Sequence, residues 1–126
     1  QPERGIYDHR SRYSIFQTVS RSDLGRNGAW TSWPPHEHEK DLEEVYCYFD
    51  MDDPHFGLHL SYVEPGDTHG VVAHTVKSGT MILAPRGYHP TVAAPGTRNT
   101  YLWVLAAHSH KSRRYDWQFW TRSVQK

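Results

Sequence analysis

WTSWPPHEHEKDLEEVYCY, running from Trp30 to Tyr48, sets two histidines behind a double proline and a carboxylate after a short charged turn. Pro34 and Pro35 hold the segment out of a helix. In an extended strand residues i and i+2 point to one face, so His36 and His38 project in parallel from Cα atoms about 7 Å apart. Two imidazoles so placed can converge on one ion. Glu39-Lys40-Asp41 reads as a turn, after which Leu42 to Phe49 runs back as a paired strand. The expectation is that Glu43 points inward with the histidines. Alternation then turns Glu44 and Tyr46 outward unless the strand twists strongly.

The rest of the chain reads as a housing for that stretch. Its 126 residues make one domain with room for a real core. Formal charge is zero, so nothing electrostatic argues for nucleic acid or an anionic membrane, and a small ligand is expected. Cys47 is the sole cysteine, which excludes an intrachain disulfide and fits a reducing cytoplasm. The apolar runs are strand-length, too short to span a bilayer. Strands are expected at Tyr13–Val19, Leu42–Phe49, Phe56–Val63, Val71–Val76, Thr80–Ala84, His89–Ala93 and Tyr101–Ala107, with Asp116–Val124 as a capping strand or short helix. Turns fall at Lys77-Ser78-Gly79, Pro85-Arg86-Gly87 and Pro95-Gly96. Short strands punctuated by glycine and proline indicate an all-β sandwich or barrel. Residues 1–24 are expected to form an N-terminal strand or arm and residues 25–124 the barrel.

A third histidine follows the Pro85-Arg86-Gly87 turn. Pro90 biases His89 toward an extended backbone at the start of a strand. His36, His38, Glu43 and His89 then make an N3O donor set suited to one divalent transition metal, zinc first, with Mn, Fe, Co or Ni as alternatives.

These residues also carry a resemblance. HEHEKDLE followed by GTMILAPRGYH resembles the two motifs of the cupin superfamily. WTSWPPHEHEKDLEEVYCY, HFGLHLSYV, GTMILAPRGYHPTVAAPG and YLWVLAA together are similar to the 5-deoxy-glucuronate isomerase family of inositol catabolism, and more distantly to the 5-keto-4-deoxyuronate isomerases. The resemblance covers about Gly25 to Trp120. It implies a single cupin jelly-roll β-barrel with His36, His38, Glu43 and His89 on the metal, and aldose–ketose isomerisation of a deoxy-uronic acid. Family members are usually bicupins about twice this length, and this chain matches the metal-bearing half. Cys47 and His59 stand where the family usually has tyrosine and glutamine.

An isomerase of this kind needs an acid/base beside the ion, for which His59, Tyr46 and Glu44 are the candidates. Arg86 is placed to grip the substrate carboxylate through its guanidinium fork, with Tyr88 beside it. Plainer roles stand against these: His59 as a packing histidine, Arg86 as an exposed turn residue, Cys47 as a small buried filler. His108-Ser-His110 has no carboxylate at a matching distance, and Lys111, Arg113 and Arg114 read as a solvated end. The competing functions are a metallo-cupin dioxygenase or lyase acting on a small carboxylate, and a non-catalytic cupin that binds a sugar acid. A lone barrel exposes apolar outer faces, so a homo-oligomer is expected.

Overall fold

The computed structural model describes residues 15–21, 28–38, 42–64, 66, 69–109 and 119–120. The turn expected at Glu39-Lys40-Asp41, residues 1–14 and 22–24 of the expected arm, and His110, Lys111, Arg113, Arg114 and Trp117 lie outside them. Among the described residues there is no helix.

The described residues form ten strands in chain order: β1 (Ile15–Arg21), β2 (Trp30–Thr31), β3 (His36–Glu37), β4 (Leu42–Tyr48), β5 (Gly57–Ser61), β6 (Val72–Val76), β7 (Met81–Ala84), β8 (Thr91–Ala93), β9 (Thr100–Ala107) and β10 (Phe119–Trp120). One sheet has the order β1-β9-β4-β7 and the other β2-β8-β5-β6, while β3 and β10 form a short ribbon. Every strand pair is antiparallel. The architecture is a cupin jelly roll, two facing sheets rather than a cylinder closed by backbone hydrogen bonds. The strand expected near Tyr13–Val19 is β1, paired along its whole length with β9.

Alternation along β4 and β9 builds the interior. Leu42, Glu44, Tyr46 and Tyr48 face inward, opposite Ala107, Leu105, Trp103 and Tyr101. With Met51, Val76 and Ala84 their apolar members form the core cluster, and Ile82 packs against it. Burying aromatic side chains of this size contributes roughly 1.5–3 kcal/mol each. The inward phase is therefore dictated by Leu42, Tyr46 and Tyr48.

On β5 the phase runs the other way from what hydropathy alone implies. Gly57 and His59 face inward, while Leu58 and Leu60 are half-buried on the outer side. Leu60 and Tyr62 there join Trp30, Trp33, Pro35, Val71 and Pro90 around an apolar groove of about 280 Å³. Trp103 is a core tryptophan, whereas Trp30 and Trp33 are exposed and pack on each other at 5.3 Å between centroids.

Candidate metal centre

Three loop and strand ends bring the expected histidines together. β3 carries His36, Leu42 N–H at the start of β4 donates to the His38 carbonyl at 2.9 Å, and the Pro85-Arg86-Gly87 turn delivers His89. Gly87 makes that turn possible. It sits at φ +78°, and a Cβ there would lie 2.6 Å from the Tyr62 carbonyl oxygen. Tyr62 and Tyr88 exchange backbone hydrogen bonds at 3.1 and 2.8 Å, which pins the turn to the end of β5.

His36, His38 and His89 each offer a ring nitrogen, and the three atoms lie within 4.8 Å of one another. Ring centroids are 5.9 Å apart for His36–His38, 5.2 Å for His36–His89 and 5.1 Å for His38–His89. Metal–nitrogen bonds of about 2 Å set donor atoms about 3–4 Å apart around an ion, so the cluster is on the right scale.

The carboxylate is Glu44. Its Oε2 lies 2.8 Å from His38 Nε2 and 2.9 Å from His89 Nε2, and the side chain is buried. Glu43, expected to be the ligand, is corrected. Its side chain is 60% exposed on the outer face, 3.9 Å from His108 Nδ1. Because Leu42 belongs to the core, alternation turns Glu43 out and Glu44 in. Tyr46, expected outward, is buried for the same reason. The signal was present as Leu42-x-Glu44-x-Tyr46-x-Tyr48, but Val45 and Cys47 make the opposite phase nearly as apolar.

Backbone carbonyls set the tautomers of His36 and His89. Nδ1–H of His36 donates to Pro34 O at 3.0 Å and that of His89 to Gly87 O at 2.8 Å, while His38 Nε2 donates to Glu44 Oε2 at 2.8 Å and its Nδ1 lies 3.4 Å from Leu42 O. A neutral His36 or His89 ring then carries its lone pair on Nε2. The three rings thus gather with ring nitrogens within 4.8 Å of one another, and the Glu44 carboxylate oxygen lies against two of them. His89 Nε2 is fully buried and, although close to Glu44, not aligned to donate to it. Such a set is reconciled by a cation at its centre, and carbonyls orienting the imidazoles from behind are the usual support of metal-bound histidine. The residues present fit a divalent transition metal.

The electrostatics agree. Burial alone pushes the Glu44 carboxyl up, but the hydrogen bond with His38 and the adjacent His89 hold it down at about 2. Glu44 is therefore ionised. Burial lowers His36, and neighbouring His89 lowers it further. His89 is also pushed down by burial, but Glu44 more than offsets this and draws it up.

Beside the cluster stands His59, fully buried on β5, its ring nearly parallel to that of His89 at 6.4 Å between centroids. Burial, followed by His89, pushes it down to about 3, so this imidazole is neutral. Tyr46 sets its ring edge-on to His59 at 4.8 Å, and its hydroxyl lies 3.1 Å from Ser32 Oγ. Burial and then Glu44 raise Tyr46 well above the usual tyrosine range, so its hydroxyl stays protonated. Arg86 is exposed in the turn and Tyr88 stacks on Tyr62 at 5.3 Å, with no contact joining Arg86 to the cluster among the described residues. Tyr48, absent from the expected site, is inward and hydrogen-bonded to His59.

Residues 24–122 match the model of the KduI/IolB family. The chain belongs to that family. Relatives named 5-deoxy-glucuronate isomerase include that of Geobacillus kaustophilus, 34% identical over 71% of this chain and 36% of its own. That of Bacillus subtilis subsp. natto is 31% identical over 90% of this chain and 49% of its own. This KduI/IolB chain thus spans about a third to a half of the length of the curated relatives it matches. Among solved structures, an IolB-like protein from Salmonella typhimurium LT2 superposes with a TM-score of 0.63 at 23% identity, over 90% of this chain and 43% of that one. The polyketide cyclase RemF of Streptomyces resistomycificus shares the fold, with a TM-score of 0.50 at 22% identity.

Proposed function

We propose that this KduI/IolB chain is a metal-dependent aldose–ketose isomerase acting on a deoxy-uronic acid of the 5-deoxy-glucuronate type, within inositol catabolism. The observation that carries the reading is the gathering of three imidazole nitrogens within 4.8 Å of one another, two of them against the ionised Glu44, with Nδ1 of His36 and His89 tied back to carbonyls. The names of the relatives support the choice of reaction.

His36, His38, Glu44 and His89 would hold the ion, zinc being the first expectation. Once bound, a divalent cation supplies Lewis-acid polarisation of a carbonyl and its neighbouring hydroxyl. The remaining work belongs to side chains. The reaction moves hydrogen from C2 to C1 and a proton from the C2 hydroxyl to the C1 oxygen. His59 Nε2 takes the proton from C2, the C–H electron pair becomes the C1–C2 double bond, and His59 returns the proton to C1. The protonated Tyr46 hydroxyl donates a hydrogen bond to substrate oxygen as charge develops there. Burial of Glu44, His38 and His89 keeps water from these groups. Arg86 is the candidate for the substrate carboxylate, reached across the exposed turn. The lone Cys47 suits a reducing cytoplasm; among the described residues, no helix is long and apolar enough to cross a membrane.

The test incubates zinc-loaded protein with 5-deoxy-glucuronate in deuterated water. Ketose carrying deuterium at C1 supports the reading. A uronate that binds but neither exchanges hydrogen nor isomerises replaces it with a sugar-acid-binding role. Oxygen consumption by the Fe(II) form would replace it with oxygenase chemistry.

A further inference from the structure

The hydrogen bonds behind His59 can be followed until every proton in them is assigned. Thr91 Oγ1 is 3.0 Å from the Leu58 carbonyl, which accepts only, so the single threonine proton goes there. The same oxygen then accepts from the Tyr48 hydroxyl at 3.0 Å and from Asn99 Nδ2 at 2.9 Å. Because the Thr91 proton is already given to Leu58, the amide turns its NH2 end to Thr91, and Nδ2 also lies 3.2 Å from Thr31 Oγ1. Tyr48 has one proton, and it is committed to Thr91. Toward His59 Nδ1, 2.8 Å away, the tyrosine oxygen can only accept. Nδ1 of His59 therefore carries the hydrogen, and in the neutral ring Nε2 carries none.

That Nε2 is fully buried and has no hydrogen-bond partner among the described residues. Leaving a buried acceptor unmet costs about 1–3 kcal/mol, so such an atom in a folded interior calls for a role. The ring itself lies between Tyr46 and His89, against the cluster. Its remaining edge is an acceptor only.

We infer that Leu58 O, Thr91 and Tyr48 form a proton-ordered chain whose task is to hold His59 as its Nδ1–H tautomer, with a bare Nε2 lone pair turned to the substrate. Tyr48 and Thr91 are positioning residues: neither touches substrate, and both act through the tautomer of His59. The lone pair takes a hydrogen from substrate, and a ring with the hydrogen on Nε2 could not. The inference rests on the isomerase reading for that last step, but the tautomer itself stands or falls separately.

The experiment is nitrogen-15 NMR of the histidine rings in zinc-loaded protein, with His59 assigned from the spectrum of His59→Gln. Wild-type protein is expected to show a protonated Nδ1 and an unprotonated Nε2 on His59. Thr91→Val removes the acceptor that holds the Tyr48 proton and keeps the shape of the side chain. The tyrosine is then free to donate to Nδ1, and the tautomer is expected to flip to Nε2–H. Thr91→Ser keeps the hydroxyl and should leave the wild-type pattern. Tyr48→Phe, which removes the acceptor from Nδ1–H, should give a mixture of the two tautomers. Exchange of the substrate C2 hydrogen should fall about 10²-fold in Thr91→Val, in line with the loss of a positioned base, with KM little changed. An Nε2–H ring in wild type, or a tautomer unmoved by Thr91→Val in protein that remains folded, overturns the inference. The expected tautomers without isomerisation by wild type would instead sink the isomerase reading and leave the chain of bonds intact.

Discussion

Two neighbouring carboxylates at the head of β4 have opposite fates, and that contrast is the sharpest test of the site. Glu44 is buried between His38 and His89, whereas Glu43 faces solvent. Glu44→Gln should strip the protein of most of its metal on purification, read by elemental analysis, because the anionic member of the set is lost. Glu43→Gln should retain metal at the wild-type level. The reverse outcome would mean that β4 is placed in the wrong phase. At His59 the prediction concerns pH. Burial holds its folded value at about 3, below the ordinary value of about 6.5. Between the two the unfolded chain binds a proton that the folded chain does not, so stability rises with pH across that window. The contribution is complete above about 6.5 and is lost as pH falls toward 3. In metal-free protein, denaturant unfolding from about pH 4 to 6.5 should show a shallower pH slope for His59→Gln than for wild type.

At the scale of the element, alternation carried most of what could be read in advance. The strands from β4 to β9 fall within a residue or two of the stretches expected from β-branched and aromatic residues between glycine and proline turns. His36, His38 and His89 were legible because prolines and turns fix where an extended segment begins. The face of β4 was not, because a two-residue period reports two phases and only packing selects one. Leu42, Tyr46 and Tyr48 against Trp103, Leu105 and Tyr101 make that selection. His59 was hard to place for a related reason: the inward face of β5 is the polar one, and the apolar Leu60 and Tyr62 line an outer groove. The turn before His89 provides a prediction of its own. Gly87→Ala forces a side chain into the left-handed region and onto the Tyr62 carbonyl. A loss of about 2 kcal/mol is expected from the backbone conformation, read by denaturant unfolding. The same variant should bind zinc more weakly, since the Gly87 carbonyl orients His89.

For the whole molecule, a bound metal would tie one sheet to the other. Glu44 belongs to the first sheet, while His89 leads into β8 of the second and His36 and His38 lie in and beside the β3 ribbon. Zinc at about a hundredfold excess over its dissociation constant should add about 2.7 kcal/mol to unfolding, and chelation should remove it; an unchanged melting temperature would count against the site. The outer surface leads to a further expectation. β7 is an edge strand with Met81 62% and Leu83 70% exposed. An apolar edge of this kind invites pairing, and a homo-oligomer that covers it is expected; a monomer by light scattering at high concentration would exclude this. The all-β class, the turns and the three histidines followed from sequence alone, because proline, glycine and β-branched residues restrict the backbone locally whatever surrounds them. Which of two adjacent glutamates meets the histidines, and which way a buried tyrosine donates its proton, was decided only when the sheets packed face to face. Burial and hydrogen-bond partnership arise between residues distant along the chain, and no local pattern encodes them.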